Sequence, residues 1–170
     1  MYSIDDRDSV VLLEQMPQPS VGAPCPVVLS DESTLLLAYI VHRVDPDWSG
    51  IPRSVGLDTR GEVIALVQFD LPAAFMWGHP NVDVLHAHPL SARGLQSYLP
   101  AEVLHSSWVR QIDRMNSVHP QHTPGSFDFL RHLIFPFHDS TFEAVVKGFE
   151  VSTWEGSIRS VLPEMMRLLS

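Results

Sequence analysis

Histidine is the residue type best placed to do chemistry in this sequence, because eight of the nine histidines fall between residues 79 and 138. The imidazole group is the commonest metal ligand in proteins and the usual acid or base at neutral pH. The residues concerned are His79, His86, His88, His105, His119, His122, His132 and His138. A metal site or an acid–base site is therefore expected in this stretch, if the chain has one.

The tightest histidine pair, His86 and His88, provides the candidate metal ligands. In a β-strand, residues i and i+2 face the same way, so both rings could bind one divalent metal ion. Cupin-type metal sites share this spacing but add a glutamate a few residues later, whereas the next carboxylate here is Glu102. Pro89 also disfavours a regular strand. We favour a loop with two polar histidines and no cofactor, with a divalent metal as the alternative.

A second candidate site is the sequence Phe-His-Asp-Ser-Thr-Phe-Glu at residues 137–143. An acid–base interpretation makes His138 a general base or metal ligand, with Asp139 beside it. Glu143 would then be the partner of His138 across a β-hairpin, since cross-strand neighbours can touch. The structural interpretation, which we favour, is that Asp and Ser stabilise a turn through side-chain to backbone hydrogen bonds.

Established signatures of catalysis and nucleotide binding are missing from the sequence. It contains no G-x-x-x-x-G-K-[ST], no G-x-G-x-x-G and no H-E-x-x-H pattern. The only cysteine, Cys25, lies between two prolines with no basic residue nearby. Neither an internal disulfide nor an activated thiol is predicted.

Three segments carry a resemblance to other sequences. They are Trp-Val-Arg-Gln at 108–111, Arg-Met-Asn-Ser-Val-His-Pro at 114–120 and, above all, Phe-His-Asp-Ser-Thr-Phe-Glu at 137–143. Together they resemble an uncharacterised family of bacterial proteins. The resemblance implies a bacterial origin and directs attention to the turn at residues 137–143, but it implies no activity.

Composition and charge exclude several classes of partner. The formal net charge is −9 at pH 7, whereas nucleic acids and anionic membrane surfaces are bound by clustered Lys and Arg. The acidic, polar start has neither the basic residues nor the apolar run of a signal peptide. No apolar run approaches the roughly 18 residues of a membrane span. We expect a cytoplasmic protein with no nucleic-acid or membrane partner, and with a protein partner or a homo-oligomer left open.

The order of predicted elements favours an α+β fold. Strands and helices are segregated along the chain rather than alternating, which is typical of antiparallel sheets. We predict a curved antiparallel sheet with a helix at about residues 101–118 and a C-terminal helix packed on it. In the first helix, Leu104, Trp108, Ile112 and Met115 would line one face. Residues 1–170 are predicted to form a single domain.

Local signals refine this prediction in the second half of the chain. Residues 130–151 should form a β-hairpin joined at Asp139–Ser140. Pro136 cannot donate a ladder hydrogen bond, so its strand should be an edge or carry a bulge there. Ser160 is the predicted N-cap of the closing helix, with Pro163 in the first turn.

Two segments in the first half are predicted to lie outside the regular elements. Residues 1–9 form an acidic tail that is free to be flexible. Residues 45–52 form a loop rich in breaking residues, from which Trp48 is expected to fold back onto the core.

The leading functional hypothesis is a non-catalytic binding or accessory module. The alternative is a metal-dependent or His/carboxylate acid–base enzyme that uses the histidine-rich region 79–143. A third interpretation is an oligomeric protein that extends its sheet through an exposed edge. The enzyme hypothesis requires several of the candidate side chains to converge at one place, and this depends on tertiary structure.

Overall fold

A computed structural model describes residues 2–44 and 54–169. Trp48 and the loop around it lie outside the described residues. The strands are β1 (Ser9–Leu12), β2 (Val27–Ser30), β3 (Leu35–Ile40), β4 (Glu62–Asp70), β5 (Ala74–Gly78), β6 (Ala101–Leu104), β7 (Arg131–Pro136), β8 (Thr141–Val146) and β9 (Gly148–Gly156). The α-helices are α1 (Ser107–Asn116) and α2 (Ile158–Leu168), and two short 3₁₀ helices cover Val82–Ala87 and Ser91–Arg93.

The strands form two antiparallel sheets that pack face to face. The first has five strands in the order β1-β6-β7-β8-β5, and the second has four in the order β2-β3-β4-β9. The core between them is built from apolar side chains at alternate positions of the strands, as the two-residue period of a strand requires. Its largest members are Tyr39, Phe69, Phe135, Phe137 and Phe142. The α+β class with antiparallel pairing is confirmed, with the strands divided between two sheets.

Each sheet is covered on its outer face by one α-helix. Ile158, Val161 and Met165 of α2 pack against the second sheet. Val109 and Ile112 of α1 pack against the first sheet beside Val145. The two helices therefore close the molecule on opposite sides, and the C-terminal helix packs as predicted. Among the described residues, no helix has the length and apolar character needed to cross a membrane.

The helix predicted at about residues 101–118 is shorter and starts later. Ala101–Leu104 is β6, which pairs with both β1 and β7. The chain then turns at His105, whose φ is 51°, and α1 begins at Ser107 because Ser106 caps it. The Ser106 hydroxyl accepts hydrogen bonds from the backbone N–H groups of Trp108 and Val109. Leu104 is the last residue of β6 and lies four residues before Trp108, so it fits a helical spacing although it belongs to a strand.

The predicted hairpin is present, but its turn lies one residue earlier than predicted. Phe137 donates its N–H to the carbonyl of Ser140, so His138 and Asp139 form the turn. The register pairs Ile134 with Glu143. Pro136 lies beyond the last β6 pairing, so β7 is an edge at that point, as predicted.

The C-terminal helix begins at Ile158 rather than after Ser160. Ser157 is the N-cap, and the side chains of Ser157 and Ser160 each accept the other's backbone N–H in a capping box. Pro163 therefore lies inside the helix rather than in its first turn, and its missing N–H removes one bond to the carbonyl of Arg159.

The segment predicted as a flexible acidic tail is anchored to the molecule. The side chains of Tyr2 and Asp8 are buried. Asp8 accepts hydrogen bonds from the N–H groups of Ser107 and Asp5, which places a carboxylate at the N-terminus of α1, where the helix dipole favours negative charge. This packing was not predictable from the local acidity.

Candidate functional site

The densest group of acid–base side chains surrounds Glu143, on the outer face of the first sheet. Its carboxylate receives the Tyr2 hydroxyl at 2.5 Å, His132 Nε2 at 2.8 Å and His88 Nε2 at 3.4 Å. Ser106 Oγ lies 2.9 Å from the other nitrogen of His132. We call these residues, Tyr2, His88, Ser106, His132 and Glu143, the Glu143 network. No member exposes more than 7% of its surface.

The sheet register places the two central members of this network. Glu143 and Val145 are two apart on β8 and share a face, and Val145 pairs directly with His132 on β7. Glu143 and His132 are thus diagonal neighbours on one face, within reach of long side chains. His88 reaches the same point from the end of the first 3₁₀ helix.

Tyr2 closes the network from the N-terminal segment. Its ring stacks on Trp108 at 5.3 Å and meets the edge of the His132 ring at 5.1 Å. Tyr2 also packs among buried apolar side chains of the 3₁₀ region, including Leu85 and Leu90. The aromatic packing and the hydroxyl bond to Glu143 together fix the start of the described chain.

The hydrogen bonds define the protonation of both histidines. The backbone N–H of Leu90 donates to His88 Nδ1, so this nitrogen is an acceptor and the proton lies on Nε2. The Ser106 hydroxyl already accepts two backbone N–H groups and so donates its proton to His132 Nδ1. Both rings are therefore neutral and donate from Nε2 to an ionised Glu143.

This tautomer pattern does not fit a metal site. A histidine that binds a metal through Nε2 carries a proton on Nδ1 and donates it to an acceptor. His88 Nδ1 instead faces a backbone donor, the Leu90 N–H, at 3.1 Å. Across residues 2–44 and 54–169, no group of three or more His, Cys, Asp or Glu side chains is placed to hold a metal ion.

Ser106, His132 and Glu143 form a hydroxyl–imidazole–carboxylate relay. A relay of this kind can remove a proton from a serine hydroxyl. Here Ser106 bonds to Nδ1 and Glu143 to Nε2, which is the reverse of the arrangement in the Ser-His-Asp triad. The Ser106 oxygen is buried and occupied as the cap of α1, so the relay is enclosed as a structural unit.

The other residues predicted to form a site lie elsewhere. His86 is exposed on the 3₁₀ helix, whereas His88 is buried, so the pair does not share a face. His138 and Asp139 form the hairpin turn, and His138 Nδ1 bonds to the Tyr98 hydroxyl at 2.7 Å rather than to Glu143. Of the three candidate catalytic residues, Glu143 alone belongs to the Glu143 network.

Sequence reasoning did not identify Tyr2, Ser106 or His132 as partners of Glu143. A turn placed at His138–Asp139 would have paired Glu143 with Ile134 and made His132 its diagonal neighbour. A Ser at the start of a helical pattern is a recognisable N-cap signal. Nothing in the local sequence indicates that Tyr2 reaches residues so far along the chain.

The network sets the ionisation of its acidic members. Burial alone would raise the pKa of Glu143, but hydrogen bonds from His132, His88 and Tyr2 outweigh it and hold this pKa at about 2. Burial and the adjacent Glu143 charge raise the pKa of the Tyr2 hydroxyl far above its ordinary value. The charged carboxylate and the neutral phenol are therefore the stable pair.

These shifts predict a defined pH dependence of stability. The folded pKa of Glu143 is below its reference value of 4.5, so its stabilisation is present above pH 4.5 and is lost as the pH falls towards 2. The folded pKa of Tyr2 is above its reference value of 10.0, so its stabilisation is lost as the pH rises above 10. Urea unfolding from acid to alkaline pH should show both losses, and a Tyr2→Phe variant should reduce the alkaline loss. An unchanged alkaline profile in that variant would contradict the assignment.

A second feature lies at the edge of the first sheet, where, within residues 2–44 and 54–169, β5 pairs with β8 on one side only. The strand reads Ala-Phe-Met-Trp-Gly and carries no charged or hydrogen-bonding side chain except the indole of Trp77. Phe75 and Trp77 point to the same face and are 44% and 47% exposed. They extend the intersheet core to the surface, where Phe75 stacks on Phe142 at 6.2 Å.

The connection into β5 exposes a further apolar side chain. Leu71 is 58% exposed and has a φ of 45°. This left-handed conformation is unfavourable for a bulky residue and is typical of positions under functional or structural constraint. Leu71, Phe75 and Trp77 form what we call the β5 ridge.

The other strand edges are protected. On β1, the exposed Val11 and Leu12 are consecutive and so point to opposite faces. The backbone at Gly94 also lies against β1, since a Cβ there would be 3.4 Å from the Val10 carbonyl oxygen. β9 is long and exposes one large apolar side chain, Trp154, at 41%. Its other exposed side chains are charged or polar, which discourages pairing; these are Glu150, Ser152, Thr153 and Glu155. On β2, the apolar side chains are half-buried.

Comparisons with known proteins do not identify a relative. No protein-family model, no curated protein sequence and no solved structure matches the chain. The two features of the molecule that bear on function are the enclosed Glu143 network and the exposed β5 ridge.

Proposed function

We propose that this protein is a non-catalytic binding module that presents β5 to an extended segment of a partner protein. The observation that carries the proposal is an uncharged edge strand with two half-exposed aromatic side chains on one face. Natural proteins usually protect such an edge with charges, proline or a covering loop. An edge left apolar is suited to pairing with another chain. The bacterial, cytoplasmic setting expected from the sequence is part of this proposal.

Strand addition accounts for each component of the edge. The partner segment would form main-chain hydrogen bonds with the free side of β5, and these provide affinity without sequence specificity. Its alternate side chains would pack on the β5 ridge, where Phe75 and Trp77 offer large apolar contacts. Leu71 would extend the contact beyond the start of the strand.

The Glu143 network supports the proposed function because it holds β8, the strand that pairs with β5. Glu143 pairs with Met76 of β5 in the sheet register, so the network fixes the strand next to the edge. Its donors and acceptors are occupied by one another and by backbone groups. A rigid, pre-formed edge lowers the entropy cost of binding an extended segment.

The proposal is tested by identifying a partner and measuring its affinity for matched variants. A photo-crosslinking phenylalanine analogue at position 75 would capture proteins that contact β5 in cells. Trp77→Lys should weaken binding of the captured partner by about 30-fold, the loss expected for a central aromatic contact of about 2 kcal/mol. Isothermal titration calorimetry would measure this loss.

The matched control is Val11→Lys, which places the same charge on β1, the opposite edge of the sheet. Val11→Lys should leave the affinity unchanged. Circular dichroism would show that both variants are folded, since Trp77→Lys also removes the indole bond to Ser140. Equal affinities for wild type and a folded Trp77→Lys variant would refute the proposal.

A further inference from the structure

Carboxylates flank both ends of β5. Asp70 precedes the strand, and Glu150 lines a groove together with Asp70. At the other end, Asp139 lies in the hairpin turn beside Ser140, which accepts a hydrogen bond from the Trp77 indole. Asp83 is at the same end, because its neighbour Val82 donates its N–H to the carbonyl of His138. A chain paired with β5 would therefore meet negative charge at each end.

Few cations offset this charge. Lys147 pairs with Asp70 at 3.1 Å. Arg131 lies over the Phe149 ring at 5.3 Å and is itself paired with Glu102. Among the described residues, no salt bridge involves Asp83, Asp139 or Glu150, and all three are exposed. His79 and His138 lie near the Gly78 end, and His86 lies on the same 3₁₀ helix as Asp83. The surroundings of β5 are therefore negative at neutral pH, in keeping with the net charge of −9.

We infer that the segment that pairs with β5 is basic and belongs to another protein, not to a second copy of this chain. The inference rests on the proposed function and specifies its partner. A segment with Lys or Arg on either side of an apolar centre would match both the β5 ridge and the flanking carboxylates. Such complementarity raises the association rate and excludes partners of the wrong charge.

A second copy is disfavoured by the same charges. Both ends of β5 are flanked by carboxylates. Two β5 strands would therefore bring carboxylates of the two copies together in a parallel as well as in an antiparallel pairing. Each copy would also bring its full net charge of −9. Like charges brought together at an interface cost binding free energy, which opposes self-pairing at this edge.

The groove beside Leu71, where β4 ends and the chain turns towards β5, is suited to a long basic side chain. It has a volume of about 500 Å³ and is lined by Leu71 and Phe149 as well as by Asp70 and Glu150. The aliphatic stem of a Lys or Arg could lie along the apolar walls, with the cationic head near the carboxylates. This geometry favours a partner with a basic residue at the end that reaches Leu71.

The inference is tested with synthetic peptides of alternating valine and threonine, ending in either lysine pairs or glutamate pairs. The lysine peptide should shift the amide NMR signals of Ala74–Gly78. It should also bind at least about tenfold tighter than the glutamate peptide at low ionic strength, and added salt should reduce this ratio. The double variant Asp83→Asn, Asp139→Asn should bind the lysine peptide more weakly than the wild type does. Glu14→Gln, next to β1, should leave the affinity for this peptide unchanged.

The outcomes separate this inference from the proposed function. Equal affinities of the two peptides for β5 would contradict the inference that the partner segment is basic. They would still support the proposal that an extended segment pairs with β5. If neither peptide perturbs Ala74–Gly78, the proposed function fails together with the inference. Sedimentation of the protein alone provides a further check, because a dimer abolished by Trp77→Lys would assign the edge to a second copy and overturn the basic partner.

Discussion

Replacing Glu143 with alanine is expected to lower the free energy of unfolding by about 3–5 kcal/mol, because three buried donors would lose their common acceptor. The substitution removes the acceptor for Tyr2, His88 and His132 at once. None of these donors can reach water without local opening, because the network is buried. Each unsatisfied donor therefore costs its full desolvation free energy.

Urea unfolding measured by intrinsic fluorescence would test this expectation. Glu14→Ala is the matched control, since Glu14 is exposed and should change stability by less than about 0.5 kcal/mol. Glu143→Gln should fall between the two, because its amide oxygen still accepts while its NH₂ group faces donors. If Glu143→Ala is as stable as Glu14→Ala, the network does not contribute to folding as described.

Replacing Tyr2 with alanine is expected to cost about 3–5 kcal/mol, the range for deleting a large buried aromatic side chain. The ring packs on Trp108 and His132, and the hydroxyl donates to Glu143. Tyr2→Phe keeps the ring and removes the hydroxyl. It should cost about 1.5–3 kcal/mol, as for a hydrogen bond to a charged group.

Tyr98→Phe is the matched control for the hydroxyl, because Tyr98 is half-buried and donates to or accepts from His138 at the surface. Its loss should be smaller than that of Tyr2→Phe in the same urea experiment. If the two variants lose the same free energy of unfolding, the buried hydrogen bond from Tyr2 to Glu143 stabilises the protein no more than the surface bond of Tyr98 does. Hydrogen exchange would add a local measure, since Tyr2→Ala should increase exchange at the start of α1.

These two predictions bear on the proposed function through β8. Glu143 lies on this strand and β5 pairs with it, so the network and the binding edge share one rigid element. Loosening the network should therefore also weaken binding at the β5 ridge, although Glu143 and Tyr2 would not contact the partner. A partner-binding edge held in this way needs no catalytic chemistry from the residues that hold it.

The local sequence predicted a hairpin over residues 130–151 and the edge character at Pro136, because turn residues and a missing N–H act over a few positions. The second strand of the hairpin ends at Val146, and the residues that follow form β9 of the other sheet. It did not place the turn to the residue. Moving a two-residue turn by one position shifts the cross-strand pairing by two residues and leaves each side chain on the same face. Glu143 therefore pairs with Ile134 and has His132 as its diagonal neighbour, whereas His138 lies in the turn itself.

The sequence by itself determined the α+β class, the antiparallel pairing and the C-terminal helix, all of which follow from residue periodicity and from helix and turn signals. Tertiary structure alone decided that Tyr2 and Glu143 meet, because contacts between residues so far apart depend on sheet order and on packing between layers. Tertiary structure also decided which apolar side chains stay exposed at the surface of the protein. Phe75 and Trp77 have the composition of core residues, and only their position on an edge strand makes them a surface.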